Sequence, residues 1–127
     1  MHDPNIWIDV FGLNSASLLK QLRGISVSQL EKILTHSGFN QTRVTSTGNQ
    51  TWNHTDGSKV MIHPYGDVRT GPYKTGNNGH VHKYDPSGSA LNDKGLISTY
   101  PNETHIGIKN PKYLPEVRGR NHGEGCR

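Results

Sequence analysis

Long apolar runs are missing from this chain. Nothing in its 127 residues approaches the ~20 consecutive apolar positions of a membrane-spanning helix, so no helical span is expected. Cysteine is nearly absent. Cys126 is the single one, which rules out an internal disulfide and leaves the redox compartment open. The opening Met1-His2-Asp3-Pro4 lacks the basic-then-apolar pattern of a secretory leader. Apolar residues make up 30% and aromatics 7% of the sequence, enough for only a small core. That scarcity, with 15 glycines, is a composition disordered chains share, yet the apolar residues fall in periodic clusters, which disordered chains rarely show. One small α+β domain is expected, with N-terminal helices packed on a twisted, mainly antiparallel sheet. Acidic residues are in the minority, 10 against 14 Lys and Arg, and the net charge of +4 favours polyanionic partners such as nucleic acid. The basic residues are spread along the chain and form no single run.

What is present is punctuated clearly. Residues 15–22 suit a short helix stopped at Gly24. Residues 26–37 suit a second, with Ser26 and Gln29 placed for a capping box and Ser28 with Glu31 as an alternative. Val27, Leu30, Ile33 and Leu34 form its apolar stripe, Gly38 its left-handed stop and Phe39 the following packing contact. His36, in the last turn, is expected to face solvent. From Gln41 the period changes to two: strands are expected over 41–46 and 49–54, joined at Gly48-Asn49, then over 59–64 after the turn at Asp56-Gly57. On these strands His54 and His63 read as surface histidines. Residues 65–79 are rich in Gly, Pro and Asn and read as loop. Arg69, Tyr73 and Lys74 within it suit phosphate contacts and base stacking. Further strands are expected over 80–84 and 104–108, separated by the Asp85-Pro86-Ser87-Gly88 turn, and residues 118–127 read as a mobile tail.

The chemistry concentrates in residues 76–108, which hold three of the eight histidines. His80 and His82 share one face of an extended strand, because successive side chains alternate. If the run starting at His105 pairs alongside, the imidazoles converge. Metal-free RNA cleavage needs a base for the 2′-hydroxyl proton, an acid for the leaving 5′-oxygen and a donor or cation for the phosphorane. Histidine fits both proton-transfer roles, and His80 and His105 are the first choice for the pair, with His82 joining or orienting them. Lys83, Arg69, Lys109 and Thr104 are candidates for the electrostatic role. Such chemistry calls for no cofactor. The same His80-x-His82 spacing also suits a metal, with His105 or Asp85 as third ligand, and a non-enzymatic binding module with histidines on a wet sheet face is a further alternative.

Three resemblances bear on function. Pro4, Trp7, Asp9, Gly12 and Leu13 resemble the end of the Rhs/YD-repeat shell of bacterial polymorphic toxins, N-P-x-x-W-x-D-P-x-G-L, with Val10 where the family has proline. The resemblance implies a shell remnant over 1–13, cleaved to release an effector domain over 14–117, and effectors on such shells are diverse, NAD-directed ones included. The helix ending in Gly38-Phe39, followed by a hairpin and His54-Thr55-Asp56-Gly57, is similar to small HicA-type interferase toxins, although Asn49 or Gln50 stands where those carry a histidine. The segment G-H-x-H-K-x-D-x-x-G … T-H-I-x-I-x-N-P resembles C-terminal toxin effectors, many of them metal-independent RNases of the barnase/EndoU/RelE-like group. His80, His82, Lys83, Thr104 and His105 stand where that group's histidines, lysine and Ser/Thr would be. The implied protein is an antibacterial endoribonuclease, secreted to act on RNA in a rival's cytoplasm and restrained in its producer by a cognate immunity protein. An acidic immunity protein would complement a basic cleft.

Overall fold

The computed structural model describes residues 13–65 and 79–112. The shell motif before Leu13, the loop carrying Arg69, Tyr73 and Lys74, and the C-terminal tail lie outside the described residues. The elements run α1 (Val27–His36), β1 (Asn40–Val44), β2 (Gln50–Asn53), β3 (Lys59–His63), β4 (Gly79–Tyr84), β5 (Ala90–Leu91), α2 (Pro101–Thr104) and β6 (Ile106–Ile108). The class is α+β, as the periodicity predicts. The strands form one sheet in the order β1-β2-β3-β4, and the far edge of β4 is shared by β5 and β6. β6 pairs with Gly79–Val81 and β5 with Lys83 and Tyr84; every pairing between named strands is antiparallel.

α1 starts where the sequence places it. The Ser26 hydroxyl accepts from the Gln29 amide at 3.2 Å and the Gln29 side chain accepts from the Ser26 amide at 3.0 Å, satisfying two donors the first turn leaves open. Gly38, at φ 86°, ends it. The Phe39 amide then donates back to the Leu34 carbonyl at 2.9 Å. Leu30 and Leu34 face a core made with Phe39, Trp52, Val60, Ile62, Val81, Ile106 and Ile108. A polar strut crosses the same seam. Trp52 Nε1 donates to Gln50 Oε1 at 2.8 Å, and Gln50 Nε2 donates to Glu31 Oε2 on α1 at 2.9 Å. His36 is exposed, as expected.

The N-terminal part departs from expectation: residues 15–22 are not a helix. The Asn14 and Ser17 side chains close a local turn, Asn14 Oδ1 accepting from the Ser17 amide and Ser17 Oγ from the Asn14 amide, both at 2.9 Å. Four amides in and beside the segment are taken by distant groups. Those of Ser15 and Ala16 donate to Asp56 and Ser58, and those of Leu22 and Arg23 to the two oxygens of Asp93. Gln21 sits at φ 59°, outside the helical region. This strap places Leu19 and Leu22 against the core and rests on the 92–95 turn. Gly95 is required there: a Cβ would lie 2.1 Å from the Ser17 carbonyl oxygen.

The strap also sets the fate of Lys83. Its neighbours on the same face of β4 are apolar, it is fully buried, and its ammonium donates to the Leu19 carbonyl. Burial lowers its pKa to about 8, with Asp93 pulling it up and Lys20 pushing it down. An amine whose folded pKa lies below its unfolded value is a protonated liability in the native state. Below pH 8 both states carry the proton and the cost is constant. Between pH 8 and 10.5 the unfolded chain binds more protons, so stability rises with pH. The Lys83 contribution to that rise is about 3 kcal/mol, at roughly 1.4 kcal/mol per pKa unit. Urea unfolding of the native chain and of Lys83→Met across this window is expected to show the rise in the former and a flatter profile in the latter. Equal slopes would mean that Lys83 is not buried as a cation.

Candidate functional site

Directly opposed residues of an antiparallel pair share a face of the sheet, so the register assigns each strand side chain to one side. Ile62 faces Val81, and Val81 faces Ile106, on the side packed by α1. The other side carries His63 opposite His80, and Met61 opposite His82. His105, just before β6, completes the group: its ring centroid lies 4.8 Å from that of His80 and 4.3 Å from that of His82. Four imidazoles from β3, β4 and the α2–β6 junction therefore meet on the face turned away from the helix.

The trio on β3 and β4 is tight. His63 Nδ1 and His80 Nε2 are 3.2 Å apart, within hydrogen-bonding distance. The rings of His63 and His82 are 5.1 Å apart, and those of His80 and His82 are 4.8 Å apart, each pair edge to face. His63 and His80 are 0% exposed and His82 is 5% exposed. Gly79 permits this approach. A Cβ there would come within 2.5 Å of the His63 carbonyl oxygen, so only glycine lets the start of β4 lie against the end of β3. Burial, then the neighbouring His80, His63 and His105, hold the His82 pKa well below the ordinary histidine value. At neutral pH His82 is an uncharged imidazole, able to accept a proton or to bind a metal.

His105 differs from the other three. It is only partly buried, and its Nδ1 lies 2.8 Å from the Pro101 carbonyl oxygen. A carbonyl can only accept, so Nδ1 carries the hydrogen and Nε2 is the nitrogen left for the cluster. The residue was expected inside a strand over 104–108. It instead caps α2, its amide donating to Pro101, because Pro101 at the first helical position starts a short turn there.

The surrounding face is cationic. In register with Met61 and His82 stand Thr51 and Arg43, and in the next row Lys59 faces Tyr84. The Lys59 ammonium lies 5.0 Å from the centroid of the Tyr84 ring, which stacks at 6.0 Å and 13° on His82. Among the described strand residues on this side there is no aspartate or glutamate.

The other expected site residues are placed elsewhere. Lys83, a candidate for the charge-stabilising role, points through the opposite face into the core, as its position next to His82 requires. Thr104 is buried, and its hydroxyl lies 3.4 Å from the Tyr100 carbonyl of its own turn, so it is turned back on the helix. Lys109 is exposed beyond β6, its backbone paired with Ile25 and Val27 at the start of α1. Asp85, weighed as a third metal ligand, instead accepts from the amides of Ser87 and Ser89 in its turn. His63 is the member that sequence reasoning assigned to the surface. Its signal was available in Lys59-x-Met61-x-His63, an alternation that matches His80-x-His82-x-Tyr84 once the two strands are set opposite each other. His54, the other presumed surface histidine, is partly buried, packs edge-on against Phe39 at 5.1 Å and accepts from the Asp56 amide.

The burial difference among the histidines has a measurable consequence. His80→Ala removes a fully enclosed ring and its contact with His63, at a cost of about 2–4 kcal/mol. His105→Ala removes a ring that is only partly buried, with its Pro101 carbonyl contact and its edges against His80 and His82, and is expected to cost about 1 kcal/mol. Urea denaturation of the two variants should show that ordering; equal costs would mean that the two rings do not differ in burial.

No family model matches the chain, and no match is found among curated proteins or solved structures.

Proposed function

We propose that the chain is a ribonuclease effector of the polymorphic-toxin kind, with its active site on the imidazole face of the sheet. The observation that carries this reading is the company the four histidines keep. Proton-transfer groups, Arg43, Lys59 and Tyr84 share one side of the sheet, and among the described strand residues no carboxylate stands there to repel a phosphodiester. The chain's net positive charge acts in the same direction.

In this reading His82, kept neutral by its surroundings, takes the proton from a ribose 2′-hydroxyl. The freed oxygen attacks phosphorus, and the bond to the 5′-oxygen breaks. His105 gives its Nε2 proton to that leaving oxygen, while the Pro101 carbonyl at Nδ1 supports the imidazolium before the transfer. The products are a 2′,3′-cyclic phosphate and a 5′-hydroxyl, and one proton has passed from substrate to enzyme and one back. His80 packs edge-on against both and holds their rings in place. Lys59 takes the electrostatic role first given to Lys83. A cognate immunity protein with an acidic surface would cover this face, and an Rhs shell would carry the domain before release; the motif around Trp7 and Gly12 supports that origin.

Incubating the purified chain with total RNA is expected to give cleavage that persists in EDTA. His105→Ala should cleave roughly 10²-fold or more slowly, the usual share of a positioned acid or base, while keeping its fold. Intact RNA under all conditions, or cleavage abolished by the chelator, would contradict this assignment.

A further inference from the structure

We propose that His63, His80 and His82 form a site for one divalent transition-metal ion of the zinc, copper or nickel class, and that an ion bound there silences the RNA-cleaving face by occupying His82. The inference goes beyond the ribonuclease reading, which assigns His63 no role in the chemistry.

The case is geometric. The three residues each offer a ring nitrogen, and these nitrogens all lie within 4.8 Å of one another. Zn–N bonds of about 2.0–2.1 Å in a tetrahedral site put neighbouring ligand nitrogens about 3.3 Å apart. The His63 Nδ1 to His80 Nε2 separation of 3.2 Å already meets that spacing. The third nitrogen, already within 4.8 Å of both, is drawn to the same spacing as the ion binds. The donor set selects the metal class: three imidazoles with neither carboxylate nor thiolate suit zinc, copper or nickel and not magnesium or calcium. Two of the ligands are paired across β3 and β4 and the third is two residues along β4, so the backbone fixes all three before any ion arrives. When an ion enters, the hydrogen shared between His63 and His80 moves to the far nitrogen of the ring that carried it. Both facing nitrogens then serve as ligands. His105 stays outside the trio, held by Pro101, and the fourth position falls to water.

The test uses the full chain, stripped with chelator and dialysed, and titrated with cobalt(II) alone. One ion per chain is expected, with the visible absorption of a four-coordinate cobalt site. In His63→Ala the affinity should fall roughly 100-fold or more, since even loss of an outer-shell partner costs 10–100-fold. Should that variant fail to fold, the native chain still decides the matter. Stoichiometric zinc should shift the ring signals of His63, His80 and His82 in its NMR spectrum and leave those of His36 and His54 in place. Absence of stoichiometric binding, or shifts confined to other histidines, overturns the proposal. One equivalent of zinc should also stop RNA cleavage, and EDTA should restore it; continued cleavage by the zinc-loaded chain refutes the silencing. A chain that never cleaves RNA but binds cobalt at these rings defeats the ribonuclease reading and leaves the metal site standing.

Discussion

The register between β3 and β4 is the constraint on which the rest of the molecule depends. With Ile62 opposite Val81, Val60, Ile62 and Val81 face α1, and His63, His80 and His82 are gathered on the reverse side. A slip of one residue would send the imidazoles into the core and the aliphatic side chains to the opposite face. The aliphatic burial that favours this register thus also concentrates polar rings where four of them crowd one another. Gly79 lets the two backbones approach where the pairing begins, and β6, joined to the start of α1 through Lys109, closes the other edge.

Such crowding has a physical cost and a functional use. Buried imidazoles repel one another's charge, and the pressure falls on His82 to stay neutral. Neutral imidazole accepts protons and binds transition metals, so one arrangement supports both the proposed catalysis and the proposed inhibition. His105, partly exposed, is the ring of the four held from outside the cluster, by the Pro101 carbonyl at its Nδ1. Arg43 and Lys59 add fixed positive charge along the same side, which draws a phosphodiester toward rings that could not attract it while uncharged.

Much of the scaffold was legible in the sequence because its signals are local. The Ser26–Gln29 box, the Gly38 stop and the alternations around Val60 and Val81 each depend on residues a few positions apart, and each element stands close to where it was expected. The strap over 15–22 was not legible as such. Its apolar residues suit a helix, but side chains some 40 to 70 positions away, Asp56 and Asp93 among them, take amides in and beside it. The convergence of His80, His82 and His105 was readable from strand parity. The same parity already set Lys83 on the far side, although its positive charge made it look like part of the site. His63 and Lys59 could be found only by knowing which strand lies beside β4 and in what register, and nothing local to either residue encodes that.

The central claim, that the four imidazoles form one interacting cluster, is tested most directly by the ring-nitrogen NMR spectrum of the 15N-histidine-labelled chain as pH is lowered. The account predicts that the His82 ring stays neutral to well below pH 6.5, and that its signals move when His105 or His63 is replaced by alanine. Four rings titrating independently near pH 6.5, each indifferent to loss of the others, would contradict it.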